Sequence, residues 1–236
     1  MRFIRKLRCV AVVLALVCSL LASSVTAEAA EKYNIYKGPN ASKRIVLTYD
    51  DCPKTLKAFK DTVKAASELD VLLVLFPTGD CMRSGKFDAK FARQHGHYVF
   101  NHSVSHPDLS KLSLSAVKKQ LGKPGIVTNY GRPPYGAVNA TVRKAYAQKG
   151  MRIWLWTVDT NDWRGKSRAS IVKYVVKQAK AGDTVLAHMQ HKAFNKTALR
   201  QIKDGLAKRG LKLCRPYKVD GRVATAPVKL TGNLKC

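Results

Sequence analysis

Short apolar runs alternate with longer stretches of helical spacing along most of the chain. Arg44-Ile-Val-Leu-Thr-Tyr-Asp-Asp-Cys-Pro53 reads as a buried strand that ends in two adjacent carboxylates, with a proline to stop it continuing. Residues 54–69 have helical character, and 71–76 form a second, fully apolar strand closed by Pro77 and Gly79. A short helix is predicted over 86–94, stopped at Gly96, and a third strand over 98–100. A helix over 114–121 precedes a strand at 126–128 and the rigid turn Gly131-Arg-Pro-Pro-Tyr-Gly136. Residues 140–148 are a helix ended by Gly150, and 152–158 a strand. Ser167 is a fitting cap for a helix running to 181, followed by a strand over 184–187 and a last helix over 195–209. Strands alternating with helices predict an α/β fold of about seven parallel strands, either an incomplete barrel or a doubly wound sheet. Every polar cluster follows a strand, at the end where both architectures build their sites.

The first thirty of the 236 residues differ from the rest. Arg2, Arg5, Lys6 and Arg8 precede an apolar run from Cys9 to Leu21, and small residues follow, with Ala27 and Ala29 acceptable before a cleavage point. That is the layout of a secretory signal peptide over 1–30, with an apolar run short for a membrane span. No later segment is long and apolar enough to cross a membrane. Residues 31–42 read as a polar lead-in, 43–213 as one domain with a sizeable core, and 214–236 as an irregular tail.

Charge and cysteines sharpen this picture. Lysine and arginine number 43 against 15 acids, a net +28, and only four of those bases lie in the first thirty residues. Such an excess predicts attraction to polyanions, and for an exported protein an anionic cell-wall polymer is a better partner than a specific nucleic acid. Four cysteines lie beyond the leader, Cys52, Cys81, Cys214 and Cys236. In an exported protein they suggest two disulfides, for which three pairings exist. Cys52 and Cys81 each follow a predicted strand. If those strands are neighbours, about 4.8 Å apart, Cys52–Cys81 is a reasonable bridge, and Cys214–Cys236 would pin the tail. A thiolate metal ligand at Cys52 is the alternative.

The candidate chemistry begins at Asp50 and Asp51. Taken alone, the pair suits a helix N-terminus. After the third strand, however, comes Asn101-His-Ser-Val-Ser-His-Pro107, with two histidines four apart. One carboxylate and two imidazoles are ligands that a divalent ion such as zinc accepts, and the second carboxylate is then free to act as a base. Arg132 could orient a carboxylate beside a fixed backbone N–H. Asp159-Thr-Asn-Asp162-Trp163 offers an orienting acid next to an aromatic wall, and His188 ends a strand as a plausible general acid. His95, His97 and His191 are read as outside the chemistry.

These motifs, in order, resemble the NodB-homology polysaccharide deacetylases of carbohydrate esterase family 4. Thr48-Tyr-Asp-Asp-Cys-Pro53, His102-Ser-Val-Ser-His106-Pro107, Arg132-Pro-Pro-Tyr135, Asp159-Thr-Asn-Asp162-Trp163 and Leu186-Ala-His188 carry the resemblance, over about residues 43–213. It implies a distorted (β/α) barrel with Asp50 as catalytic base and Asp51, His102 and His106 on one divalent metal, with zinc expected and cobalt or another ion acceptable. It implies Arg132 and Asp162 as tuners of the base and the acid, His188 as the acid, and Tyr135 N–H at the oxyanion, with Trp163 and Leu186 against substrate. The activity implied is N-deacetylation of GlcNAc-containing polymers, peptidoglycan ahead of chitin, by a secreted or wall-associated monomer. An O-acetyl xylan esterase or a weakly catalytic wall-binding protein would use the same fold. Cys52 and Phe100 stand where the family commonly has glycine, and Met189 where an acid is common.

Overall fold

The apolar stretch before the acid pair folds as strand β1 (Val46–Asp51), the middle strand of a five-stranded sheet. The computed structural model describes residues 33–236, so the expected signal peptide, with Cys9 and Cys18, lies outside the described residues. Beside β1 lie β2 (Leu73–Pro77) and β7 (Thr184–His188), with β3 (Tyr98–Val99) and β6 (Val158–Asp159) at the edges. Every pairing in this sheet is parallel. A second parallel pair, β4 (Tyr130–Gly131) with β5 (Arg152–Ile153), continues from β3 through a single bridge, Asn101 to Gly131. Seven parallel strands thus form an incomplete, distorted barrel, one of the two architectures the pattern left open and the one the resemblance implied.

Helices α1 (Leu56–Glu68), α2 (Gly79–Arg83), α3 (Ala89–Gln94), α4 (Leu114–Gln120), α5 (Ala140–Gln148), α6 (Arg168–Gln178) and α7 (Lys196–Ala207) fill the connections. Each starts on a side chain that accepts a hydrogen bond from the first turn: Thr55, Thr78, Asp88, Ser113, Asn139, Ser167 and Asn195. Helix α1 buries Phe59, Thr62, Val63 and Ala66 against the sheet, the spacing of one helical face. Because helices cover the sheet, β2 is buried at all five positions and shows no apolar–polar alternation.

Three expectations differ in place. The strand expected at 126–128 lies instead at Tyr130–Gly131. Residues 126–128 form a loop tied by side chains, with Asn101 Nδ2 donating to Ile126 O (2.8 Å) and Thr128 Oγ1 to Val228 O (2.6 Å). The strand expected over 152–158 is split into β5 and β6. Between them the backbone is claimed from outside the sheet: Trp154 O and Leu155 O accept from Arg132, and Leu155 N donates to Ile35 O. Finally, α2 was not anticipated, and the helix expected over 86–94 begins only at Ala89.

Both ends of the described chain are tied down. In the stretch read as a polar lead-in, Gly38 has φ +62° and passes so close to the Trp154 indole that a Cβ there would sit 2.3 Å from it. The tail carries a short antiparallel hairpin, β8 (Lys218–Val219) and β9 (Arg222–Val223), where only irregular structure was expected. It then returns to the barrel, where Asn129 exchanges two hydrogen bonds with Leu230. The Cys214–Cys236 disulfide holds it there, with Cα atoms 4.5 Å apart. Among the described residues no helix is long and apolar enough to cross a membrane.

Candidate active site

Successive residues of a strand normally point to opposite faces. At the end of β1 this rule is broken, because Asp51 takes a left-handed backbone (φ +69°). Both carboxylates therefore approach one imidazole. Asp50 Oδ2 lies 3.6 Å and Asp51 Oδ1 3.4 Å from His102 Nε2. His106 follows in a left-handed conformation of its own (φ +59°), and its Nε2 is 3.4 Å from the same Asp51 oxygen. Ser103, again left-handed, accepts the His106 N–H on its Oγ (3.0 Å), and Asn101 Oδ1 accepts from Ser103 N (2.8 Å). The histidine loop is thus set by polar side chains that the sequence motif merely spaced.

Asp51, His102 and His106 offer ligand atoms that all lie within 4.8 Å of one another. Two further observations fit a cation there. Asp51 Oδ1 is buried and makes no hydrogen bond, an arrangement that is costly unless a positive charge meets it. His102 Nδ1 donates to Arg132 O (2.7 Å), which fixes the tautomer and turns a lone pair at Nε2 towards Asp51. Borderline divalent ions take this set of one carboxylate and two imidazoles, with positions left open. Burial opposes the charge of Asp51, but His102, the Gln190 amide and His106 outweigh it and hold the carboxyl far below its usual range. Burial also opposes a charged His102, but Asp50 and Asp51 outweigh it and raise that pKa. For His106, burial and the neighbouring His102 win, and the pKa falls.

Two buried charge pairs flank the cluster. Arg132 is wholly buried and reaches four acceptors: Asp50 Oδ1 (2.7 Å), Thr48 Oγ1 (2.9 Å), Trp154 O (3.0 Å) and Leu155 O (2.8 Å). Its guanidinium also stacks 4.1 Å from the Phe76 ring centre. At the end of β7, Asp162 grips His188 twice, accepting from the backbone N–H (2.8 Å) and from Nδ1 (2.6 Å). Burial disfavours the imidazolium, but the Asp162 hydrogen bond and the charges of Asp50, Asp162 and Asp51 push His188 up to about 9.

Tyr135 and Trp163 are 69% and 53% exposed, with Tyr135 in a left-handed backbone and its ring 4.7 Å from that of His106. Leu186 is buried in β7, paired in register with Thr48. Cys52 and Cys81 are joined in a disulfide, so Cys52 is no metal ligand here and the thiolate alternative falls. His97 is fully buried between Leu73 N and Val63 O, which makes it a packing residue. His95 is half-buried against Phe91.

Sequence reasoning missed Gln190, whose Nε2 donates to Asp51 Oδ2 (2.7 Å). Its only signal is its place two residues beyond His188. It also missed the supports Thr48, Asn101 and Ser103. A cleft of about 390 Å³ opens beside the cluster, with Asp51, His106 and Gln190 on its lining.

A family profile described as polysaccharide deacetylase matches residues 37–154, a stretch that includes the acid pair, both histidines and Arg132. The peptidoglycan-N-acetylglucosamine deacetylase PgdA of Listeria monocytogenes is 34% identical over 161 residues, covering 64% of this chain and 33% of its own length. A bifunctional xylanase/xylan deacetylase of Cellvibrio japonicus is 29% identical over 197 residues, covering 80% of this chain and 29% of its own. The chain therefore spans about a third of these curated relatives. The solved structure of a family 4 carbohydrate esterase from Streptomyces lividans in complex with acetate superposes with a TM-score of 0.62 at 26% identity, over 78% of this chain and 98% of that one. On the matched motifs and the shared fold, the chain belongs to the polysaccharide deacetylase family.

Proposed function

We propose that this protein is an exported, metal-dependent deacetylase that removes N-acetyl groups from GlcNAc-containing polymers, peptidoglycan first among them. The observation that carries the reading is the pairing of Asp50 with Arg132 and of His188 with Asp162 around the Asp51/His102/His106 cluster. In this reading Asp50 is the base and His188 the acid for amide hydrolysis. A divalent cation held by Asp51, His102 and His106 would polarise the acetyl carbonyl and make the attacking water more acidic.

The remaining work falls to the chain itself. Asp50, braced by Arg132 at Oδ1, takes the water's proton on its other oxygen. The Tyr135 N–H stabilises negative charge on the carbonyl oxygen. His188, its Nδ1 engaged by Asp162, gives the proton on Nε2 to the leaving nitrogen as the C–N bond breaks. Acetate and a free amino sugar result. The exposed rings of Tyr135 and Trp163 suit the faces of a sugar. The leader-like residues 1–30 and the two disulfides support export into an oxidising compartment. The net charge of +28 supports retention near an anionic wall.

Acetate release by the purified protein, stripped by chelator and then given zinc or cobalt, tests the reading on peptidoglycan, a chitin oligomer and acetylated xylan. Acetate from the aminoglycans only after metal return is expected. The xylan deacetylase activity of the Cellvibrio relative favours O-ester hydrolysis as the second reading, and acetate from xylan alone would establish it. Binding to cell walls with no acetate from any substrate would leave a wall-binding protein.

The acid can be tested directly. Because the folded pKa of His188 is raised, its proton is held below about pH 9 and lost as pH rises through that value. The linked stabilisation of the fold is complete below the ordinary imidazole value, about 6.5, and fades on the same ascent. Titration of the metal-free protein by NMR is expected to place His188 near pH 9, and Asp162→Asn to move it down towards the ordinary value. A midpoint unmoved by Asp162→Asn would take that role from Asp162.

A further inference from the structure

The cleft beside the cluster has lining residues that the proposed chemistry leaves unused. Besides Asp51, His106 and Gln190, its lining includes Lys54, Lys86 and Thr78. Both lysines are exposed, and among the described residues neither forms an ion pair. Asp51 is the one acid in that lining, and its charge is directed at His102 and His106. The cleft outside the cluster is therefore cationic and unsatisfied.

The two lysines come from separate segments. Lys54 is two residues past Cys52, on the turn between β1 and α1, and Lys86 is five past Cys81, between α2 and α3. The Cys52–Cys81 disulfide joins those two segments with Cα atoms 5.3 Å apart. A covalent tie of this kind lowers the entropy lost when two flexible ammonium side chains close on one ligand. Thr78 adds a hydroxyl between them in sequence. Two ammonium groups and a hydroxyl suit a carboxylate, and they line the same cleft as Asp51 and His106.

We propose that Lys54 and Lys86 form a carboxylate-binding subsite that selects anionic N-acetylated glycans, such as peptidoglycan carrying free carboxylates, over neutral ones. This rests on the deacetylase reading above. Neutral chitin or xylan would leave both ammonium groups without a counter-charge.

The test compares a peptidoglycan tetrasaccharide carrying free stem-peptide carboxylates with the same oligomer after its carboxylates are amidated. KM for the free acid is expected to be about tenfold lower, as two solvated charge pairs would give, and the advantage should shrink in high salt. In Lys54→Gln/Lys86→Gln the ratio of the two KM values is expected to collapse to about one. The same ratio is read a second way, as the calorimetric affinity of Asp50→Asn protein for each oligomer, which needs no turnover. Equal KM and equal affinity for the two oligomers would overturn the subsite, as would a ratio that survives the double substitution. Absence of acetate from every substrate, with the affinity difference intact, would count against the deacetylase reading and leave the subsite standing.

Discussion

Asp50→Asn is expected to lower kcat for acetate release by about 10²–10⁴-fold, the range for losing a positioned general base, while the protein still binds zinc. The reasoning starts from the unequal surroundings of the two carboxylates. Asp50 is held by Arg132 and Thr48 lies on the same guanidinium nitrogen, whereas Asp51 Oδ1 has only the two imidazoles. An amide at position 50 keeps an oxygen for Arg132 but has no site for a proton. It also removes the charge that contributes most to the raised pKa of His102, so that ring should give up its proton to a metal more easily. Metal content and acetate release measured on one preparation check this. Loss of zinc together with turnover would make Asp50 a ligand and Asp51 the candidate base.

Arg132→Met is expected to cost about 3–5 kcal/mol of stability, the range for breaking a buried ion pair from one side. The side chain is fully buried and serves Asp50, Thr48, Trp154 O and Leu155 O, and its own carbonyl oxygen sets the tautomer of His102. Methionine fills much of the space and leaves an uncompensated carboxylate and two carbonyls in the interior. Denaturant unfolding measures the loss. Arg132→Lys should recover little, since one ammonium cannot replace a planar fork directed at four acceptors. A variant that unfolds at the wild-type denaturant concentration would show that Arg132 is not the brace its contacts imply.

Much of this fold was legible because its strands are short, apolar and punctuated by proline or glycine. Ser167 predicted its helix start correctly, and Thr184–Ala187 was placed within one residue of β7. The misplacements share a cause. Residues 126–128 and 154–157 gave their hydrogen bonds to partners distant in sequence, namely Asn101, Arg132, Ile35 and the tail, which no local pattern announces. The same holds in the site. Carboxylates and imidazoles can be recognised by type and spacing, so Asp50, Asp51, His102, His106, Arg132, Asp162 and His188 could be named from the chain and do converge. Gln190 and Ser103 have side chains common on any surface, and only their position against Asp51 and His106 gives them a part. The lysines of the cleft were hidden among 43 bases, where one more positive charge carries no signal.

Asp51, Ser103, His106 and Tyr135 all occupy left-handed backbone with φ between 59° and 69°, a region where a residue with a Cβ pays of order 1 kcal/mol. Glycine at any of the four would relax the chain, and at Asp51, Ser103 and His106 it would delete the side chain that the site uses, at Tyr135 the exposed ring. Thermal robustness and turnover are thus set against each other at these positions, and selection for heat resistance alone would pull the protein towards an inert scaffold. Gains in durability that leave chemistry intact have to come from elsewhere, for example at Asp70 and Asp220, whose left-handed backbone (φ 56° and 48°) lies outside the site.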